Sequence, residues 1–307
     1  MGGNLFHKAR RYTKEEYLKT VEKLKPLLEP YFKVIDATYS LEDKKSYGDL
    51  DFYYELLDDK PIDWDEIQKL IGATDKVYAG GNVSLLYNGD FQIDFHNCKG
   101  NFEYQMWLAS YSGIFNMLGW AIKKHGMKLS SDGIYLMMEN QNLKLSGDIN
   151  LIMDFFELDY ERFKRGFDNK IELFNYICES PFMTLFDKNL NKRTRYNFKR
   201  RPIFNELLEF IENIDKPLKE ININEIVSYF GKIPEYVKIQ QDIEKRNKIK
   251  ICFNGNYINS ITGHKGKELG KVMRHLRNCP KFEETFLEGD DETIYKFVVE
   301  NSSRLDL

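Results

Sequence analysis

Two apolar runs, Val83 to Tyr87 and Phe91 to Phe95, flank the dipeptide Asn88-Gly89, and this pattern restricts the fold of the chain most. Asn-Gly supplies the positive φ angles that a tight antiparallel turn needs, so the spacing predicts a β-hairpin. Further strand candidates stand upstream: Phe32 to Ala37, and Asp49 to Leu57, with a polar loop from Ser40 to Gly48 between them. Thr13-Lys14-Glu15-Glu16 reads as a capping box. Behind it Tyr17, Val21, Leu24 and Leu28 recur at helical spacing until Pro30 closes the helix. Pro61 to Ile71 reads as a second helix with Trp64, Ile67 and Leu70 on one face. The first hundred residues thus read helix, strand, strand, helix, hairpin, which makes a small mixed sheet backed by helices.

From about Phe102 the pattern becomes mainly helical, with segments near 103–125, 151–157, 170–178, 204–213 and 234–247. Gly80-Gly81, before a strand, reads as a turn. The expected class is therefore α+β, a small mixed-sheet domain followed by a mainly helical C-terminal region. The expected organisation is 1–100, 101–205 and a basic tail over 206–307, in a chain of 307 residues long enough for two or three structural units.

No run approaches the ~18 apolar residues that would span a bilayer. No charged-then-apolar signal segment opens the chain, and Phe6 stands where myristoylation wants Ser or Thr. Cys98, Cys178, Cys252 and Cys279 lie far apart without a CxxC pair. Reduced thiols and a soluble, cytoplasmic protein are expected. Net charge is −3, but its distribution is uneven. Residues 188–280 carry 20 Lys and Arg against 10 Asp and Glu, whereas residues 1–100 carry 14 against 18. A basic block inside a near-neutral chain is the footprint of contact with a polyanion. Its densest part, 188–201, interleaves Tyr196 and Phe198 with Lys192, Arg193, Arg195, Lys199, Arg200 and Arg201 and holds no acid. That mixture can grip a phosphate backbone and stack bases.

Gly48-Asp49-Leu50-Asp51 opens the second strand. Residues i and i+2 of a strand share a face, so Asp49 and Asp51 project together while Leu50 turns to the core. Side-by-side carboxylates repel and need a cation, and oxygen-only ligands suit Mg2+ or Mn2+. Gln92-Ile93-Asp94-Phe95 carries another acid between apolar neighbours on a hairpin strand. If the two strands are neighbours, the three carboxylates can converge on a pair of ions roughly 3.5–4 Å apart.

Gly48-Asp49-Leu50-Asp51 followed by Gln92-Ile93-Asp94 resembles the palm signature of the polymerase β-type nucleotidyltransferase superfamily. Tyr111-Ser112-Gly113-Ile114-Phe115-Asn116, with Ala121, Gly126, Leu129 and Gly133-Ile134-Tyr135, resembles the stretch after the third aspartate in family X polymerases. Gly263-His264-Lys265-Gly266-Lys267-Glu268-Leu269-Gly270, preceded by Phe253-Asn254-Gly255, is similar to a tail element of bacterial CCA-adding enzymes.

The resemblance implies Asp49, Asp51 and Asp94 as catalytic ligands of two Mg2+ ions, with Mn2+ able to substitute. It implies an NTP bound near Gly48, with Tyr111 and Gly113 flanking the sugar and Asn116 approaching the base. Where the superfamily has Gly-Ser to grip the triphosphate, this chain has Thr38-Tyr39-Ser40, leaving Ser40 with Lys44 and Lys45 for the task. Trp120 stands where family X has an Arg after the Asn, which weighs against templated base selection. The implied reaction transfers NMP from NTP to the 3′-hydroxyl of a polynucleotide. A tRNA-like RNA acceptor is favoured over DNA, gripped by the 188–201 block together with Lys265 and Lys267. The alternatives are a gap-filling family X polymerase and a palm that binds nucleic acid without catalysis.

Other residues have plainer readings. His96 shares a face with Asp94 and has the chemistry of a ligand, but alternation does that on nearly any strand, and it reads as a satisfied or exposed histidine. His264 reads equally as a phosphate contact or a loop histidine, and Phe52-Tyr53-Tyr54 reads as core packing. No Ser-His-Asp or Cys-His constellation, Walker A loop or GxGxxG is present.

Overall fold

The capping box forms as its sequence requires. The Glu16 amide donates to Thr13 Oγ1 at 3.3 Å and the Thr13 amide donates to Glu16 Oε2 at 2.8 Å. Two donors that a helix start leaves unpaired are thereby satisfied. Helix α1 (Lys14–Leu28) follows, and its Tyr17, Thr20, Leu24 and Leu28 are buried along one stripe. Pro30 lies in the 3-10 turn Glu29–Tyr31 that ends it.

The structure is a computed structural model that describes residues 5–58, 60–183, 201–212, 214 and 219–303. The chain divides into two compact units, Met1–Gly231 and Lys232–Leu307. The residues expected as the sheet domain (1–100) and as the following helical region (101–205) lie within the first.

In that unit a two-residue pairing joins β1 (Tyr12–Thr13) to β3 (Ser46–Tyr47). The main sheet contains β2 (Phe32–Ala37), β4 (Asp49–Leu56), β5 (Ala73–Ala79), β6 (Asn82–Tyr87) and β7 (Phe91–Asn97), in the order β2-β4-β7-β6-β5. The β4–β7 pair is parallel and every other neighbour is antiparallel, so the sheet is mixed. Leu50 and Phe52 of β4, and Ile93 and Phe95 of β7, are fully buried against α1 and against Ile67 and Ile71 of helix α2 (Trp64–Ile71). Strand alternation then turns Asp49 and Asp51, and Asp94 and His96, to the opposite face.

Both turn dipeptides act as turns. Asn88 and Gly89 have φ of 50° and 76° between β6 and β7. Gly80 and Gly81, at 60° and 89°, join β5 to β6 as a two-residue hairpin. Strand β5 itself lacks an apolar run. It is the sheet edge, half to fully exposed along its length, and its pairing with β6 rather than its own sequence makes it a strand.

Beyond residue 101 the chain forms α3 (Phe102–Gly113), α4 (Asn116–Ala121) and the 3-10 turn Ile122–His125. Between the helical segments, where the sequence marked no element, residues within 127–146 fold as an antiparallel sheet. Its strands are β8 (Met127–Ser130), β9 (Gly133–Met138) and β10 (Gln141–Ser146). Their turns are Ser131-Asp132 and Glu139-Asn140, without the Asn-Gly or Gly-Gly signal that marks the other hairpins. The sheet braces α3, since Tyr104 OH donates to the carbonyls of Ser130 at 2.8 Å and Gly133 at 3.1 Å. Helices α5 (Ile149–Phe156), α6 (Tyr160–Arg165), α7 (Lys170–Glu179), α8 (Pro202–Ile211) and α9 (Ile223–Tyr229) follow among the described residues of the unit.

The second unit is helical throughout its described residues: α10 (Ile233–Cys252), α11 (Gly255–Thr262), α12 (Gly266–Arg277), α13 (Phe282–Glu288) and α14 (Asp291–Ser302). It has its own core, with Ile258, Val272, Leu276, Phe286 and Val298 at its centre. Among the described residues no helix is long and apolar enough to cross a membrane.

Candidate metal and nucleotide site

Parallel pairing of β4 and β7 sets Asp49 beside Gln92, Asp51 beside Asp94 and Tyr53 beside His96. Donor atoms of Asp51, Asp94 and His96 all lie within 4.8 Å of one another, and among the described residues this is the one such cluster of three metal-binding side chains. His96 Nε2 is 3.0 Å from Asp51 Oδ1. The imidazole stacks on the Tyr53 ring, with centroids 4.6 Å apart and 23° between planes. Asp94 is held by its own sheet neighbours. Ser84 Oγ, across the β6–β7 ladder, donates to Oδ1 at 2.5 Å, and Gln92 Nε2 donates to Oδ1 and Oδ2 at 3.0 and 2.8 Å.

The electrostatics match that crowding. Burial raises the Asp94 pKa above the carboxylate norm, and the Asp51 charge adds to it despite the hydrogen bonds of Ser84 and Gln92. Burial alone would lower the His96 pKa. The hydrogen bond to Asp51 and the charges of Asp51, Asp94 and Asp49 outweigh it and raise the value. Two carboxylates and an imidazole whose donor atoms lie this close are a donor set that fits a divalent ion.

The cluster opens into a cavity of about 700 Å3. Asp49, Asp51, Tyr53 and His96 form one side, and Ser112, Gly113, Asn116 and Arg201 are among the residues lining the rest. Asp49 is therefore in the site, but at the cavity wall and outside the close trio, where His96 takes its place.

The far side is shaped by a break in α3. Ser110 is extended, with ψ of 157°, and Tyr111, Ser112 and Gly113 then have φ of 52°, 62° and 70°. The break is clamped, because Tyr111 N donates to Tyr39 O at 2.9 Å and Tyr39 N donates to Ser110 Oγ at 3.1 Å. Asn116 Nδ2 donates to Gly113 O at 2.8 Å. A Cβ on Gly113 would sit 2.5 Å from Arg201 Nη1, so glycine here lets the guanidinium lie against the backbone.

Other expected residues are placed differently. Tyr111 is buried and does not line the cavity, because its ring packs among Tyr39, Phe163 and Phe167. Ser112 and Gly113 present the turn to the cavity instead. Ser40 is engaged with Tyr47 OH at 3.0 Å and Gly48 is buried, and neither lines the cavity. Lys44 lies over the Tyr47 ring at 4.2 Å. Burial lowers its pKa, while the charges of Asp49 and Asp51 pull the other way. Lys45 is exposed, as are Lys265 and Lys267 in the second unit. Lys192, Arg193, Arg195, Lys199 and Arg200 lie outside the described residues, and Arg201 is the member of that run seen at the cavity.

No protein-family model matches the chain, and no curated protein does. Among solved structures, the polymerase β of Leishmania infantum in a ternary P/T complex is similar over 42% of this chain and 59% of its own. The sequences are 11% identical there and the TM-score is 0.33. The match thus spans less than two thirds of that polymerase.

Sequence reasoning missed Ser84, Gln92 and Tyr53 as parts of the site. Gln92 precedes Asp94 by two residues, as His96 follows it by two, so alternation placed both on the acid's face. Ser84 had no such local mark, because its partner is set by the hairpin register.

Proposed function

We propose that the chain is a divalent-metal-dependent nucleotidyltransferase that moves a nucleoside monophosphate from an NTP to the 3′-hydroxyl of a polynucleotide. The observation that carries this reading is the pairing of Asp51 with Asp94 on adjacent parallel strands, with Asp51, Asp49 and His96 at the wall of a cavity that Gly113, Asn116 and Arg201 also line. Carboxylates in that position would hold divalent ions such as Mg2+ or Mn2+, which would supply positive charge to the attacking hydroxyl and the leaving pyrophosphate. Asp51 and Asp94 are the primary holders, and Asp49 reaches the same cavity from the start of β4. Ser84 and Gln92 orient Asp94 so that its oxygens are fixed before substrate arrives.

In this reading Asn116 and the Ser112-Gly113 turn bound the space for sugar and base, and Arg201 meets the negatively charged part of the nucleotide. The basic 188–201 block is assigned to the acceptor strand, and Lys265 and Lys267 of the second unit are separate candidates for phosphate contact. A tRNA-like RNA end is the preferred acceptor, on the resemblance of the 263–270 element to CCA-adding enzymes.

The test is incubation with Mg2+, each labelled NTP and dNTP in turn, tRNA lacking its 3′ end, and single-stranded and gapped DNA primers. Wild type and Asp51→Ala run in parallel. Addition to the RNA end that disappears in D51A supports terminal transfer, and template-dependent dNTP addition redirects the assignment to gap filling. Equal extension by wild type and D51A would sink the site assignment. No incorporation on any acceptor, beside tight and salt-sensitive polynucleotide binding, would leave a binding protein.

A further inference from the structure

One member of the close trio is an imidazole. Mg2+ is a hard ion that takes oxygen ligands and keeps several waters. Imidazole nitrogen adds affinity chiefly for divalent ions of the first transition row, and Mn2+ is the member of that row that also favours carboxylate oxygens. We propose that His96 is a metal ligand together with Asp51 and Asp94, and that this mixed set selects a divalent transition ion, Mn2+ ahead of Mg2+. The proposal deepens the nucleotidyltransferase reading by naming its ion, and rests on that reading only for what the ion does.

The geometry supports a ligand and not a bystander. The ring nitrogen nearest the carboxylates is Nε2, 3.0 Å from Asp51 Oδ1. Asp94 stands two residues earlier on the same strand and directly across from Asp51. The imidazole plane is fixed by its stack on Tyr53. The Asp94 carboxylate is oriented by Ser84 and Gln92. Donors held by a surrounding set of contacts lose little freedom when an ion arrives, which is how metal sites gain affinity. The side chains of His96 and Asp51 are 22% and 39% exposed, so an ion reaches them from the cavity without a change of fold.

The experiment uses full-length protein stripped with chelator and no nucleotide. Mn2+ is titrated while the free ion is followed by electron paramagnetic resonance, and Mg2+ is then added as competitor. Spin-echo modulation on the bound Mn2+ reports whether a 14N nucleus is coordinated. Wild type is expected to show 14N modulation and to prefer Mn2+. His96→Gln, with an unchanged circular dichroism spectrum, is expected to lose the modulation and to narrow the Mn2+ over Mg2+ preference on the order of tenfold or more. His96→Asp, an all-oxygen set, should shift the preference toward Mg2+. Bound Mn2+ without 14N modulation in wild type overturns the proposal even if the variants fail to fold, and so does an unchanged preference in His96→Gln. A 14N signal from a protein that incorporates no nucleotide would overturn the function and leave this inference standing.

Discussion

Tyr111 and Ser112 hold a left-handed backbone that L side chains rarely adopt, and they do so next to the cavity. Each such residue costs on the order of 1–3 kcal/mol, offset here by the clamp from Tyr39 and by burial of the Tyr111 ring. Gly113 continues the run at φ 70° without that strain. Gly113→Ala should therefore destabilise the fold by about 1–3 kcal/mol from the positive φ, since the Arg201 guanidinium it meets is the end of a flexible side chain that can shift. A lower urea midpoint at unchanged m-value is the expected result, and an unshifted midpoint would mean the turn is not clamped. Asp51 predicts the opposite balance. It stands beside Asp94 and helps raise that neighbour's pKa, so removing its charge relieves that repulsion in the metal-free protein. An Asn oxygen keeps the hydrogen bond to His96 and gives up only the charge. Asp51→Asn should keep or raise the melting temperature without metal while nucleotide transfer falls on the order of 100-fold or more. Loss of stability matching the loss of activity would instead make Asp51 a structural residue.

At the scale of elements, the helices and strands that announce themselves are those whose own residues carry the signal. Thr13 and Glu16 mark a helix start within four residues, and Asp49, Leu50 and Asp51 alternate as a strand must. Strands β8 to β10 carry no such mark. Their loop residues, Ser131-Asp132 and Glu139-Asn140, hold no glycine, and Gly133 falls on the first residue of β9 and not in the loop. What fixes them is close contact at Gly133, whose φ is 143° and whose added Cβ would meet Ser146 O at 2.0 Å. Gly133→Ala cannot be absorbed by a flexible side chain, because the atom it meets is backbone. It should cost about 3 kcal/mol, at the upper end for an atom forced into a packed site. Tyr104 donates to the Gly133 and Ser130 carbonyls, so the damage should spread to α3 and appear as faster amide exchange in both elements. Exchange confined to β9 and β10 would show that the small sheet does not brace the cavity wall.

Across the molecule, among the described residues, the sheet of the first unit and the helices of the second each have a hydrophobic cluster, and further buried residues of the first unit, Trp107, Phe115 and Phe163 among them, lie outside both. The first unit is rich in buried tyrosine, which sets how it responds to base. Burial and then the hydrogen bond to Asp90 push Tyr12 up to about 12, burial pushes Tyr54 up to about 12, and the hydrogen bond to Asp132 followed by burial does the same for Tyr135. A phenol in the unfolded chain ionises near a pH of about 10. The unfolded state therefore binds fewer protons than the folded one between those values. The stabilisation from these three groups is complete below about pH 10 and is lost as pH rises toward about 12. The melting temperature of the first unit should be flat from neutral pH to about 9 and fall steeply through that window. A flat profile up to pH 12 would mean that the three phenols ionise in the folded protein as they do in water.

By itself, the sequence determined what depends on neighbours along the chain: the capping box, the turns at Asn88-Gly89 and Gly80-Gly81, and the face on which each acid stands. Periodicity assigns a side chain to a face because backbone geometry repeats every two or 3.6 residues. It does not say which strand lies alongside. The tertiary structure decided that β4 and β7 run parallel and adjacent, which joins Asp51 to Asp94 and brings His96 within reach of Asp51. It also decided that the Tyr111 ring goes to the core and that Arg201 lies against Gly113. Those contacts follow from burying apolar faces of segments distant in sequence, and a local pattern carries no record of its partner.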